Sequence, residues 1–237
     1  MGLEISGVSV RFGGLHALDD VSIDARGGMI TGLIGPNGAG KTTLFNVITG
    51  VQRAASGRVL LDDTRIDRVP AHRRARLGLG RTFQRLELFG SLSVRENIRV
   101  ATGALPRSRR EATVNQLLDR VGLGDVADER ADALSTGVGR MLELARCLAA
   151  EPSVLLLDEP ASGQDDQDTA RFAALLTSLA ADGMAVLLVE HDMELVMGVC
   201  ERVHVLEFGR LIASGTAEEI KNDERVRVAY LGEEVPA

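Results

Sequence analysis

The run Gly35, Pro36, Asn37, Gly38, Ala39, Gly40, Lys41, Thr42, Thr43 carries the most specific chemistry in this chain. It fits G-x-x-x-x-G-K-[ST], a loop that cradles nucleotide phosphates. The glycines let the backbone turn tightly and bring its N–H groups to phosphate oxygens. Lys41 would carry positive charge to the terminal phosphates, and Thr42 would offer a hydroxyl to Mg²⁺. Far along the chain, Asp158 and Glu159 follow an apolar run. Asp158 is placed to hold Mg²⁺ directly or through water, and Glu159 to orient or deprotonate an attacking water. His191 ends a second apolar run, where it could donate a hydrogen bond to a γ-phosphate or its departing oxygen. Ser135 and Gly137 open a helix-like segment from Leu134 to Arg146, a second N-terminus suited to phosphate. A second such site in a chain with one phosphate loop suggests a partner's nucleotide bound across a dimer interface.

The elements that must position these residues are legible in part. Met29–Ile34 reads as a buried strand entering the loop, and Thr42–Thr49 as a helix closed by Gly50, its positive dipole end toward the phosphates. Val154–Leu157 and Met184–Val189 are unbroken apolar runs, the pattern of parallel strands buried on both faces. Ala170, Phe172, Ala173, Leu176 and Leu179 give the crossover helix between them. Leu3, Ile5, Val8, Val10 and Phe12 read as an antiparallel strand pair turning near Ser6-Gly7, with further short strands at Val21–Ile23 and Val59–Leu61. From Val94 to Leu148 the periodicity is helical, with Val114, Leu117, Leu118 and Val121 on one face and Pro106–Arg110 as a solvated basic loop. Val203, Val205 and Phe208 begin a last strand pair turning at Gly209. Thr216 to Glu219 is a capping box opening a C-terminal helix.

The chain has 237 residues, 45% of them apolar, 26% charged and only 3% aromatic, so aliphatic side chains must fill the core. A net charge of −7 argues against a broad nucleic-acid surface. No run approaches the ~18 apolar residues of a membrane span, and the N-terminus lacks the regions of a secretory signal. Cys147 and Cys200 read as packed thiols rather than a disulfide or metal pair.

Taken together, these motifs resemble the ATP-binding subunits of ABC transporters. The phosphate loop, Arg81-Thr-Phe-Gln84, Leu134-Ser135, Leu157-Asp-Glu159, Ser162-Gly-Gln-Asp165 and His191 occur in that family's order over essentially the whole chain. Phe12–Ala17, Arg81–Phe89, Glu190–Met193 and Ala229–Glu233 look like the branched-chain amino-acid uptake branch. The resemblance implies that Phe12 stacks on adenine, and that Gln84 reaches Mg²⁺ and the attacking water. It implies that Ser135, Thr136 and Gly137 meet the γ-phosphate of ATP held by a second subunit, and that Asp165 couples the two sites. The family's usual Leu-Ser-Gly-Gly-Gln departs here at Thr136 and Val138, and Gln164 stands where an apolar residue is common. An asymmetric dimer with one slower site would follow, and Thr136→Gly with Val138→Gln should raise its turnover.

The implied fold is α/β: a P-loop ATPase core (residues 1–85 and 151–215) with an antiparallel β layer, an inserted helical subdomain (86–150) and a C-terminal helical tail (216–237). The implied cofactors are ATP and Mg²⁺. The implied partners are integral membrane permease subunits, a second ABC ATPase and an external substrate-binding protein, with no nucleic acid. The implied location is the cytoplasmic face of the cell membrane. An ATPase of a lipid or lipopolysaccharide exporter, or a soluble ATP-driven regulatory module, is the alternative.

Overall fold

The computed structural model describes residues 1–231. Two sheets dominate. In the first, β1 (Gly2–Phe12), β2 (Leu15–Arg26), β4 (Ser56–Leu61) and β5 (Thr64–Arg65) pair antiparallel in the order β2-β1-β4-β5. In the second, β3 (Ile30–Ile34), β6 (Leu79–Arg81), β7 (Val154–Asp158), β8 (Ala185–Val189), β9 (Arg202–Glu207) and β10 (Arg210–Gly215) take the order β10-β9-β3-β8-β7-β6. Every pairing in this second sheet is parallel except the β9–β10 hairpin.

Alternation along the central strands divides the core. Val154 and Leu156 of β7, with Leu187 and Val189 of β8, pack toward the antiparallel sheet and helix α1 (Lys41–Thr49), against Leu3, Ile5, Val21 and Phe45. Leu155 and Leu157, with Val186 and Leu188, face the other way. There they meet Phe172, Leu176 and Leu179 of α6 (Asp166–Ala181). Because side chains alternate across a strand, an all-apolar strand needs cover on both faces, and this one has it. The second cluster runs on into α3 (Val94–Ala101), α4 (Arg107–Val121) and α5 (Thr136–Leu148) through Ile98, Val114 and Leu142. Helix α2 (Ala71–Arg76) packs beside α1, while α7 (Met193–Val199), α8 (Ala217–Asn222) and α9 (Glu224–Leu231) close the C-terminal side.

Several local expectations change. Residues 2–12 form one strand, not two: Gly7 sits at φ +63 and the register with β2 shifts between Ile5 and Val8, so the glycine makes a bulge. Pro106 precedes the first helical residue of α4, so Arg107–Arg110 are a helix's first turn rather than a loop. Proline suits that place because its missing N–H would have had no helical partner. Ala170 lies on the exposed side of α6. The Thr216 capping box forms with both reciprocal bonds, and Gly50 ends α1 at φ +80. Cys147 and Cys200 are free, and burial pushes each thiol up to about 12. Gly232 and Glu233 of the tail motif lie outside the described residues.

Candidate active site

The candidate residues gather at the C-terminal ends of the parallel strands, where ligands bind in open α/β sheets. The phosphate loop follows β3, Gln84 follows β6, Asp158 ends β7 with Glu159 just beyond it, and His191 follows β8. Since β7 and β8 are neighbours, with Asp158 opposite Val189, residues some thirty positions apart meet.

The loop's shape comes from its glycines. Gly35 is at φ +151, and a Cβ there would lie 2.1 Å from the Leu206 carbonyl oxygen; Gly40, at φ +108, would put one 2.7 Å from the Ala17 oxygen. At Gly38, φ +80, no atom lies within 4 Å of that place, so the loop opens outward there. Lys41 is buried and its ammonium donates to the Gly35 and Pro36 carbonyls. Burial pulls its pKa down, countered by Glu159 and Asp158. Phe12, Asn37–Thr43, Gln84, Glu159, Phe208 and Gly209 enclose one concavity of about 550 Å³.

Glu159 holds a left-handed backbone, φ +50, which is uncommon for a residue with a side chain. Its N–H bonds the Val189 carbonyl at 2.9 Å. Its carboxylate is shared: Oε2 accepts from Gln84 Nε2 at 2.7 Å, and Oε1 lies 2.7 Å from His191 Nε2. Two separately positioned side chains therefore converge on one carboxylate. Asp158 lies beneath, its Oδ2 accepting from Arg81 at 3.1 Å. Burial pushes this carboxyl up, while Arg81 holds it down.

The signature residues do not enter this concavity. Ser135 caps α5, its Oγ accepting from Val138 N at 3.4 Å, and a Cβ on Gly137 would fall 1.8 Å from the Asp168 carboxylate. Thr136 turns its methyl toward Gly163. The Asp165 carboxylate caps α6 by accepting from Asp168 N at 2.8 Å.

Four side chains escaped sequence reasoning. Arg81 bridges Asp158 and Asn46 of α1 and lies against the rings of Phe45 and Phe83. Arg140 donates to the carbonyls of Phe83 and Gln84, so the signature helix grips the Gln84 segment. Phe208, 83% exposed at φ +44, lines the concavity with Phe12. Arg74 is buried under α1. Only Arg81 had a signal, its place in the Arg81–Gln84 motif.

The residues fit magnesium nucleotide. Among the described residues no group of three or more His, Cys, Asp or Glu could cage a metal. A hydroxyl, a carboxylate and an amide beside a phosphate loop match a cation that keeps its waters and is held largely by substrate phosphates.

Comparison with known proteins agrees with this geometry. The family model "ABC transporter" matches residues 18–162, and "Branched-chain amino acid ATP-binding cassette transporter" matches residues 210–236. The chain is 40% identical to the high-affinity branched-chain amino acid transport ATP-binding protein LivG of Salmonella typhimurium, over 98% of both chains. BraF of Pseudomonas aeruginosa, with the same description, is also 40% identical over 98% of both. The lipopolysaccharide export system ATP-binding protein LptB of Escherichia coli is 36% identical over 98% of both. A nucleotide-free ATP-binding cassette from an ABC transporter superposes with TM-score 0.88 at 30% identity, covering 98% of this chain and 100% of that one. With the phosphate loop, the paired acids and the histidine all gathered at one sheet edge, the chain belongs to the ABC transporter family as an ATP-binding, ATP-hydrolysing cassette.

Proposed function

We propose that this cassette powers uptake of branched-chain or other hydrophobic amino acids through a separate membrane permease. The observation that carries the reading is full-length similarity, 40% over 98% of both chains, to proteins described as serving that transport, joined to the branch-specific match at residues 210–236. The more distant exporter relative supports the lipopolysaccharide alternative less well, at 36%. No helix among the described residues is long and apolar enough to cross a membrane. The chain would sit on the cytoplasmic face, docked on integral permease subunits and paired with a second ABC ATPase, while an external binding protein delivers substrate. Nucleic acid has no place in this scheme.

In the mechanism, the backbone of Gly35–Thr43 and the Lys41 ammonium bind the phosphates, and Phe12 stacks on adenine. Thr42, Gln84 and Asp158 would hold Mg²⁺, which when bound neutralises charge on the phosphate oxygens. Glu159 accepts a hydrogen bond from the attacking water and takes up its proton as the water meets the γ-phosphorus. His191 donates to the departing phosphoryl oxygens, and its contact with Glu159 keeps both side chains on the reacting side. Gln84 reports the state of the permease contact to the same carboxylate. Ser135, Thr136 and Gly137 complete the partner's site, and Asp165 links the two. Thr136 and Val138 make the site that uses this signature the slower one.

The test is a pull-down from native membranes with Glu159→Gln in Mg-ATP as bait. The expected companions are integral membrane subunits and a second ATPase, and vesicles holding Mg-ATP and the same complex rebuilt with the unaltered chain should accumulate labelled leucine. Recovery of soluble proteins alone would overturn the transporter reading. Transport of a lipid in place of leucine would select the exporter alternative.

A further inference from the structure

Glu190 lies outside the phosphate concavity, yet it is a carboxylate with only 3% of its surface exposed. Burying a charge is costly unless its oxygens are well bonded. Here the two oxygens serve different segments. Oε1 accepts from Ala161 N at 2.7 Å, and Oε2 accepts from His191 N at 3.0 Å. Burial pushes the carboxyl up, while the N–H groups of Ala161, His191 and Asp192 hold it down.

The two segments matter. Ala161 belongs to the turn from Pro160 to Asp165, between Glu159 and α6. His191 touches the Glu159 carboxylate. A cleft of about 760 Å³ between α6 and α7, bounded by Ala161, Ser162, Glu190 and His191, leaves the turn room to shift. We propose that Glu190 is a positioning residue that fastens the 160–165 turn to the backbone of His191, so that movement of the turn moves His191 against Glu159. The inference rests on the roles given above to Glu159 and His191.

Glutamate is required because both its oxygens accept. Glutamine keeps the shape but offers one acceptor and one NH₂ donor, so one backbone N–H would face a donor. A cycle of Glu190→Gln, His191→Ala and the double variant tests the idea in the full chain, reading kcat, KM for Mg-ATP and melting temperature. Glu190→Gln should lower kcat about tenfold with KM within about twofold, the size expected when a catalytic group loses its orientation. On the His191→Ala background the same change should alter kcat by less than about twofold. An equal tenfold loss on both backgrounds, or an unchanged kcat for Glu190→Gln, would overturn the proposal. A His191→Ala chain as fast as the parent would instead remove His191 from catalysis, and Glu190 with it. Should Glu190→Gln not fold, amide hydrogen exchange of the unaltered protein decides. Ala161 and His191 should exchange at one shared rate and shift together when a non-hydrolysable ATP analogue binds; independent responses would refute the link.

Discussion

Arg74 offers a sharp energetic test, because it holds the far end of the helix that begins at the phosphate loop. The side chain is 3% exposed, and its four donor contacts are all to backbone carbonyls. Nε reaches Val69 at 2.7 Å, one terminal nitrogen reaches Val47 and Ile48 at 2.7 Å each, and the other reaches Asp67 at 3.0 Å. Arg74→Ala leaves the Val47 carbonyl its bond from Gly50 N, but strips this donor from the other three. At about 1 kcal/mol for each deprived acceptor, one buried and two part-buried, the loss is about 3 kcal/mol. The cavity adds to that, while release of a buried charge, visible in the downward pull of burial on the arginine's pKa, offsets it. For a chain of this size 3 kcal/mol lowers the melting temperature by about 6–12 °C. Urea unfolding and calorimetry would read the change, with exposed Arg73→Ala as a control expected within about 0.5 kcal/mol. An Arg74→Ala protein within about 1 kcal/mol of the parent would refute the reasoning.

Two further predictions use other strained or buried groups. Phe208 keeps a bulky ring at φ +44 in a turn beside the phosphate loop. Phe208→Asn should gain about 1 kcal/mol of stability by relieving that backbone, while fluorescent-ATP titration should show binding weakened about fivefold through lost stacking; unchanged affinity would remove the ring from the nucleotide site. His204 is 2% exposed, and burial lowers its pKa below the ordinary 6.5. The unfolded chain then takes up a proton that the folded one refuses. Stability should therefore fall as pH drops below about 6.5, with a slope up to about 1.4 kcal/mol per unit, and level off below the folded value. His204→Gln should lack that component in urea midpoints taken from pH 7.5 to 5, and an identical pH profile would contradict the assignment.

The sequence was most legible where one segment does its own work. The phosphate loop, the apolar runs of β7 and β8, and the Thr216 cap each declare themselves through local pattern. Reading failed where the deciding partner is distant or the local signal serves two geometries. Gly7 could be a turn or a bulge, and only the 21–26 partner strand chooses. Pro106 marks a loop's end as well as a helix's beginning. Arg74 resembled its solvated neighbours until the end of α1, some 26 residues away, took its donors. The Arg81–Asp158 pair spans 77 positions, and the division of Glu190 between two backbone segments has no sequence signature.

The most direct test of the central claim is phosphate release from Mg-ATP by Glu159→Gln against the parent chain, with ATP affinity measured alongside. The amide keeps the contacts to Gln84 and His191 within reach but cannot take the water's proton. Turnover should fall about 10²–10³-fold with binding retained. Turnover near that of the parent would contradict the assignment of Glu159 as the group that activates water.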